Sequence, residues 1–167
     1  MSQTPKSDLI GISDVALRLP KLLKKLPHIA VGLKQAYIRT PSSPAGLAVA
    51  FERALKRNPT GIALLYEEQR YSYHALNQWA NQIAHFYLDK GAKKGDAIAV
   101  IIENRAELIA TVLGLAKIGV ISALVNTAQT GKVLTHSINL VHPIAVVVGE
   151  ECRAAVDEVR DALNLSN

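Results

Sequence analysis

The sequence is short of cysteine and of long apolar runs, and each shortage excludes a class of structure. Cys152 is the only cysteine in 167 residues, so no disulfide can form within the chain, and a lone thiol suits a reducing cytosol. Nowhere do about 20 apolar residues follow one another, so the sequence offers no candidate for a bilayer-spanning helix. With 49% hydrophobic and 20% charged residues, the composition instead predicts a globular, cytoplasmic protein.

The body of the chain also lacks net charge. Residues 1–40 hold seven basic and two acidic residues and account for the whole formal charge of +5, whereas the remaining residues hold twelve of each sign. A nucleic-acid-binding domain would carry its positive charge on a packed face. Because the excess lies in a leader instead, the sequence argues against nucleic acid as a partner.

The leader, residues 1–44, is basic and amphipathic and ends in a linker rich in serine and proline. Its leucines recur at helical spacing, with breaks at Pro20 and Pro27. Such a segment can lie on an anionic membrane face, which predicts peripheral association with the cytoplasmic side of a membrane. The alternative is that the leucines pack on protein and the lysines are solvated. The residues predicted to contact membrane are Arg18, Lys21, Leu22, Leu23, Lys24 and Lys25.

Residues 45–167 show the periodicity of an α/β domain. After a first helix the pattern predicts the order β-β-α-β-α-β-α-β-α, with apolar strands suited to the buried centre of a parallel sheet. Ser72 and Asn104 are predicted helix caps, the second in a capping box with Glu107. The predicted elements are a helix over 45–56, strands over 62–66 and 70–73, a helix between Ser72 and Gly91, a strand over 97–102, a helix between Asn104 and Lys117, a strand over 121–125, a helix over 130–141, a strand over 144–148 and a closing helix over 151–163.

Few residues are spaced for chemistry. His136 and Ser137 are adjacent on a predicted helix, so they cannot face each other as base and nucleophile. The five histidines and the cysteine show no close ligand spacing, so no metal site is predicted. Cys152 lies near a helix start, where its pKa could be lowered, but an inert thiol is the simpler interpretation.

A phosphate-binding loop is missing as well. The segment Gly114–Gly119 has the glycine spacing of such a loop, but Val120 stands where the lysine should follow. The run Thr40–Pro44 is rich in hydroxyls, yet its two prolines have no backbone donor for a phosphate. The sequence therefore predicts neither catalytic nor cofactor-binding nor metal-binding residues in this chain.

Three local motifs nevertheless occur in a meaningful order between Tyr71 and Asn126. They are Tyr71-Ser72-Tyr73-His74-Ala75-Leu76, then Gly91-x-x-x-Gly95-Asp96, then Leu115-Ala116-Lys117-Ile118-Gly119-Val120 followed by Leu124-Val125-Asn126. Together they resemble the first third of adenylate-forming (AMP-binding) enzymes. The resemblance implies the amino-terminal part of an acyl-CoA synthetase large domain: an incomplete α/β fold with a mixed or parallel sheet and flanking helices.

Further residues resemble the fatty-acid-transport-protein type of long- and very-long-chain acyl-CoA synthetase. They are Asn126 with Gly131–Ser137, Leu19-Pro20, and Ile38-Arg39-Thr40-Pro41. Thr130 stands where members of that group often carry arginine. The resemblance implies a ligase that uses ATP, Mg²⁺ and CoA to activate a fatty acid to acyl-AMP and then form a thioester.

The resemblance also implies that this chain is a truncated piece of such a ligase, inactive alone and binding none of these cofactors, because the family's phosphate loop and lid residues do not occur in it. Apolar strand edges normally covered by later sequence would then be exposed, which predicts self-association or aggregation. Two alternatives remain: a stand-alone, non-catalytic binding or membrane-associated protein of the same fold, and an adenylating ligase for a non-fatty carboxylate.

Overall fold

The computed structural model describes residues 46–166 and, within the leader, residues 26–27 and 30–32, which are helical and exposed. The chain separates into two compact units, Met1–Pro44 and Ala45–Asn167, and the second contains every element discussed below. The residues predicted to contact membrane, between Arg18 and Lys25, lie outside the described residues. No helix within the described ranges is both long and apolar enough to cross a membrane.

The second unit is a mixed α/β fold, as the sequence predicts. Ser72 caps its longest helix as expected, since its Oγ accepts a hydrogen bond of 3.1 Å from the Ala75 amide. The elements are α1 (Leu47–Arg57), β1 (Ile62–Tyr66), β2 (Gln69–Ser72), α2 (Tyr73–Asp89), β3 (Ala97–Ile101), α3 (Ala106–Lys117), β4 (Ile121–Leu124), α4 (Gly131–Asn139), β5 (Ala145–Val148), a 3-10 turn (Glu150–Cys152), α5 (Arg153–Val159) and a second 3-10 turn (Arg160–Ala162).

The strands form two sheets. Strands β1 and β2 make an antiparallel hairpin, whereas β4, β3 and β5 make a parallel sheet in that spatial order. Ala97 of β3 is paired with Ile121 of β4, and Ile98 of β3 is paired with Ala145 of β5. Strand β3 is therefore central, and its carboxyl end lies between those of the other two strands.

Alternate residues of β3 serve two apolar cores, because successive side chains of a strand point to opposite faces. Ala99 and Ile101 pack with α4 and α5, in a cluster that includes Leu134, Ile138, Val156 and Val159. Ile98, Val100 and Ile102 face the other way and pack with Leu115 of α3. Helices therefore cover both faces of the sheet, which explains why every residue of strand β3 is apolar.

A third core joins α2 to α3 and to the hairpin. Its buried members are Leu76 and Ala80 of α2 and Ala110 and Leu113 of α3. Gly114 allows the two helices to approach closely: a Cβ at this position would lie 2.7 Å from the carbonyl oxygen of Ala80.

The structure corrects two local details of the sequence prediction. Asn104 does not cap α3; Arg105 holds the N-cap position and makes no side-chain capping bond. The predicted closing helix over 151–163 is not continuous. It consists of one α-helix of seven residues flanked by two 3-10 turns.

The outer strands of the parallel sheet are also less buried than their apolar sequences predict. Ile121 and Leu124 of β4 are 56% and 61% exposed, and all four residues of β5 are only half-buried. An edge strand has a neighbour on one side only, so an apolar sequence does not guarantee burial. These exposed edges agree with the premise of the self-association prediction, which itself stays a prediction.

Candidate functional site

The carboxyl edge of the parallel sheet carries a concave surface with both polar and apolar residues. The loops after β3 and β4 enclose an open cleft of about 490 Å³, and this edge is where ligands bind in open α/β sheets. Its walls combine apolar strand ends with polar loop side chains. The lining residues are Val100, Ile102, Glu103, Asn104, Leu108, Leu124, Val125, Asn126 and Thr127.

The wall contributed by β4 is ordered by a local turn. The Oδ1 atom of Asn126 accepts a hydrogen bond of 2.9 Å from the Ala128 amide, and its carbonyl accepts one of 3.2 Å from the Gln129 amide. An asparagine that bonds to the backbone two residues ahead stabilises such a turn. With Asn104 on the opposite wall, the cleft offers amide and hydroxyl groups that can bind a polar ligand.

The wall contributed by β3 is held from the neighbouring strand. The carboxylate of Glu151, which follows β5, accepts a hydrogen bond of 2.7 Å from the Glu103 amide. Its other oxygen lies 3.2 Å from Nη1 of Arg105, and Nε of the same arginine lies 3.5 Å from Glu107. Arg105 therefore lies between two carboxylates, and only the Glu151 carboxylate comes from a distant part of the chain.

Hydrogen bonds from the Glu103 amide and from the amide of Glu151 itself lower the pKa of the Glu151 carboxyl group below its ordinary value of 4.5, with a smaller contribution from the charge of Arg105. A carboxyl group with a lowered pKa in the folded state contributes stability that is fully present above its unfolded pKa and is lost as the pH falls through its folded pKa.

We therefore expect Glu151→Gln to lower the free energy of unfolding by a constant amount near neutral pH. The difference from the unsubstituted chain should shrink below about pH 4.5, the ordinary pKa of the carboxyl group. Urea unfolding at a series of pH values measures it. Glu150→Gln is the matched control for the loss of one charge, because the neighbouring Glu150 side chain is 82% exposed. A difference that persists unchanged at pH 2 would contradict the assignment.

Cys152 follows directly after Glu151 but is buried, with 5% of its surface exposed. Burial, reinforced by the negative charges of Glu151 and Glu103, raises the pKa of its thiol. The pKa of the thiol is therefore raised and not lowered, and the side chain packs in the core cluster that includes Leu134 and Val156. That the thiol is inert stays a prediction.

Two glycines of the family motifs lie at the opposite, amino-terminal edge of the sheet, whereas Asn126 of the third motif lines the cleft. Gly95 and Gly119 lie two residues before β3 and β4 begin, and both have positive φ, 97° and 75°. The Gly95 amide donates a hydrogen bond of 3.0 Å to the Gly119 carbonyl. Both positions need left-handed backbone, which glycine adopts without strain. Gly95 and Gly119 therefore align the starts of two strands, and they do not line the cleft.

The stretch with phosphate-loop spacing does not form a phosphate-binding loop. The segment Gly114–Gly119 is the last part of helix α3 and the turn after it, so its amides are not arranged as a cradle. Among residues 46–166 no group of three or more histidine, cysteine or acidic side chains could hold a metal ion.

The sequence pattern of the AMP-binding enzyme family matches residues 51–166. This chain belongs to the AMP-binding enzyme family. Among curated relatives it is 26% identical, over 149 residues, to the medium/long-chain fatty-acid–CoA ligase FadD6 of Mycobacterium tuberculosis. It is 31% identical, over 109 residues, to long-chain fatty acid transport protein 6 of Mus musculus. The alignments cover 89% and 65% of this chain.

A solved structure shares the fold of this family member. The fatty acyl-CoA synthetase of Mycobacterium tuberculosis superimposes with a TM-score of 0.65 at 22% identity, covering 68% of this chain and 23% of that protein. The alignments cover 25% and 18% of the two curated relatives, so the chain spans a quarter or less of their length. The predicted fold class, the first part of an acyl-CoA ligase domain, is confirmed.

Residues that are adjacent in sequence form no site here, whereas two residues far apart in sequence are in contact. His136 is exposed on α4, with Ser137 half-buried beside it, and the pair has no geometry for catalysis. Glu151 and Glu103, by contrast, meet across 48 positions, and the sequence analysis missed this contact. The contact could have been predicted because each residue follows an apolar strand, and the carboxyl ends of parallel strands meet at one edge of the sheet.

Proposed function

We propose that this chain forms the amino-terminal scaffold of a long-chain fatty-acid–CoA ligase, which activates a fatty acid with ATP to acyl-AMP and transfers the acyl group to CoA. The observation that carries the proposal is the alignment with a medium/long-chain fatty-acid–CoA ligase over 89% of this chain. Similarity to a long-chain fatty acid transport protein over 65% of this chain supports the same substrate class.

In this proposal the described residues build and orient the domain, and the phosphate and metal chemistry belongs to other parts of the enzyme. Two features of the chain support this division. The family motifs at Gly95 and Gly119 align strands and bond to each other, and the stretch with phosphate-loop spacing is helical. The 167-residue chain alone is therefore expected to be inactive.

The test is an assay of the native protein, isolated from its source cells with an antibody against residues 45–167. We expect a species much larger than 18.0 kDa that exchanges pyrophosphate into ATP when palmitate is present and forms palmitoyl-CoA. The purified 167-residue chain, assayed in parallel, should do neither. Exchange that depends only on an aromatic or other non-fatty acid would replace the fatty substrate class. A native species of 18 kDa without exchange on any acid would instead indicate a non-catalytic binding protein of the same fold.

A further inference from the structure

The contact made by Glu151 lies where the path of the chain through the sheet reverses. The chain leaves β3 for β4 on one side and then returns across the sheet to β5 on the other side. The loops that follow β3 and β5 therefore diverge toward opposite faces, and the crevice between them is the usual ligand position in open α/β sheets. In this protein a side chain of the protein itself lies there.

The Glu151 carboxylate binds both kinds of donor that the loop after β3 presents. One oxygen accepts the Glu103 amide at 2.7 Å, and the other lies 3.2 Å from the guanidinium of Arg105. Hydrogen bonds in which the acceptor is charged are about twice as strong as neutral ones. The side chain of Glu151 is 22% exposed, although the residue as a whole lies at the surface.

Gly149 makes room for this carboxylate. A Cβ on Gly149 would lie about 2.6 Å from Cδ of Glu151, closer than real contacts allow. The backbone of Gly149, with φ −69° and ψ 149°, is ordinary extended backbone that alanine adopts without strain. The constraint at position 149 is therefore steric, and the three atoms nearest to such a Cβ all belong to the Glu151 side chain.

We propose that Glu151 is an intramolecular latch that connects the β3 and β5 loops and fixes the loop Ile102–Arg105. Glu103, Arg105 and Gly149 complete this carboxylate latch. Ile102, Glu103 and Asn104 form one wall of the cleft at the sheet edge, which Glu151 itself does not line. Glu151 is thus a positioning residue: it sets the place of a cleft wall through the backbone of another loop.

Amide hydrogen exchange on the ¹⁵N-labelled 167-residue chain tests the latch directly. Removing the charged acceptor in Glu151→Ala should speed exchange of the Glu103 amide at least about tenfold, and should shift the resonance of the Asn104 amide. Glu151→Gln keeps an oxygen acceptor and should restore part of the protection. Glu150→Ala, at the exposed neighbouring position, is the matched control and should leave the Glu103 amide unchanged.

A double-substitution cycle tests the steric part. Gly149→Ala leaves the carboxylate present but displaces it, so it should speed exchange of the Glu103 amide as Glu151→Ala does. In a chain that already carries Glu151→Ala, adding Gly149→Ala should have no further effect, because the group it displaces is gone. Additive effects of the two changes, or a Glu103 amide unaffected by Glu151→Ala and Glu151→Gln, would overturn the proposal. Neither measurement depends on ligase activity, so failure here leaves the proposed function standing.

Discussion

Gly114→Val is expected to lower the free energy of unfolding by about 3 kcal/mol, the upper end of the usual cost of overpacking a core. A Cβ at this position would lie 2.7 Å from the carbonyl oxygen of Ala80 and 3.0 Å from Cβ of Ile83. The first contact is with helix backbone, which cannot rotate away as a side-chain end can. Helices α2 and α3 must therefore separate, and their shared core of Leu76 and Leu113 opens with them.

Urea unfolding of the 167-residue chain measures this effect. Ile109→Val is the matched control because it places the same side chain on the same helix at a position that is 44% exposed, and it should change the unfolding free energy by less than about 0.5 kcal/mol. Gly114→Ala discriminates further, since helix propensity alone would stabilise it by about 1 kcal/mol. A stabilised Gly114→Ala variant would show that the two helices are not in close contact.

Leu134→Ala is expected to have an effect of the same order, with a loss of about 2–5 kcal/mol in unfolding free energy. Leu134 is 1% exposed and packs with Ala99 and Ile101 of the central strand. Alanine would leave a cavity between α4 and the sheet, where the surrounding β3 residues are themselves fully packed and cannot fill the space.

The adjacent residue provides the comparison. Val133 lies on the same turn of α4 but is 60% exposed, so Val133→Ala removes little buried surface and should cost less than about 0.5 kcal/mol. Chemical unfolding of both variants gives the difference. Equal losses for the two would mean that α4 does not present Leu134 to the sheet, and the assignment of that core would be wrong.

Much of the scaffold could be predicted from the sequence because its determinants are local. The apolar run that begins at Ala97 is suited to a central parallel strand, and the structure places β3 there. Ser72 precedes a helical pattern and caps α2. Gly91, Gly95 and Gly119 end or begin elements where the backbone has positive φ, which glycine adopts at no steric cost.

Local pattern was less informative where burial depends on neighbours. Strands β4 and β5 are as apolar in sequence as β3, yet Leu124 is 61% exposed because nothing among the described residues covers the outer side of an edge strand. The predicted capping box of Asn104 and Glu107 was also wrong. Glu107 pairs with the side chain of Arg105, and that residue takes the N-cap position in place of Asn104.

The family and the fold class could be inferred from the amino-acid sequence, since the motifs between Tyr71 and Asn126 lie in order and each corresponds to a local turn, cap or strand. The contacts at the carboxyl edge of the sheet depend instead on tertiary packing. Glu151 reaches Glu103 across 48 positions, and Gly114 is required by a helix 34 positions earlier in the chain, at Ala80. Contacts of this kind depend on how the elements pack together, and no local periodicity encodes them.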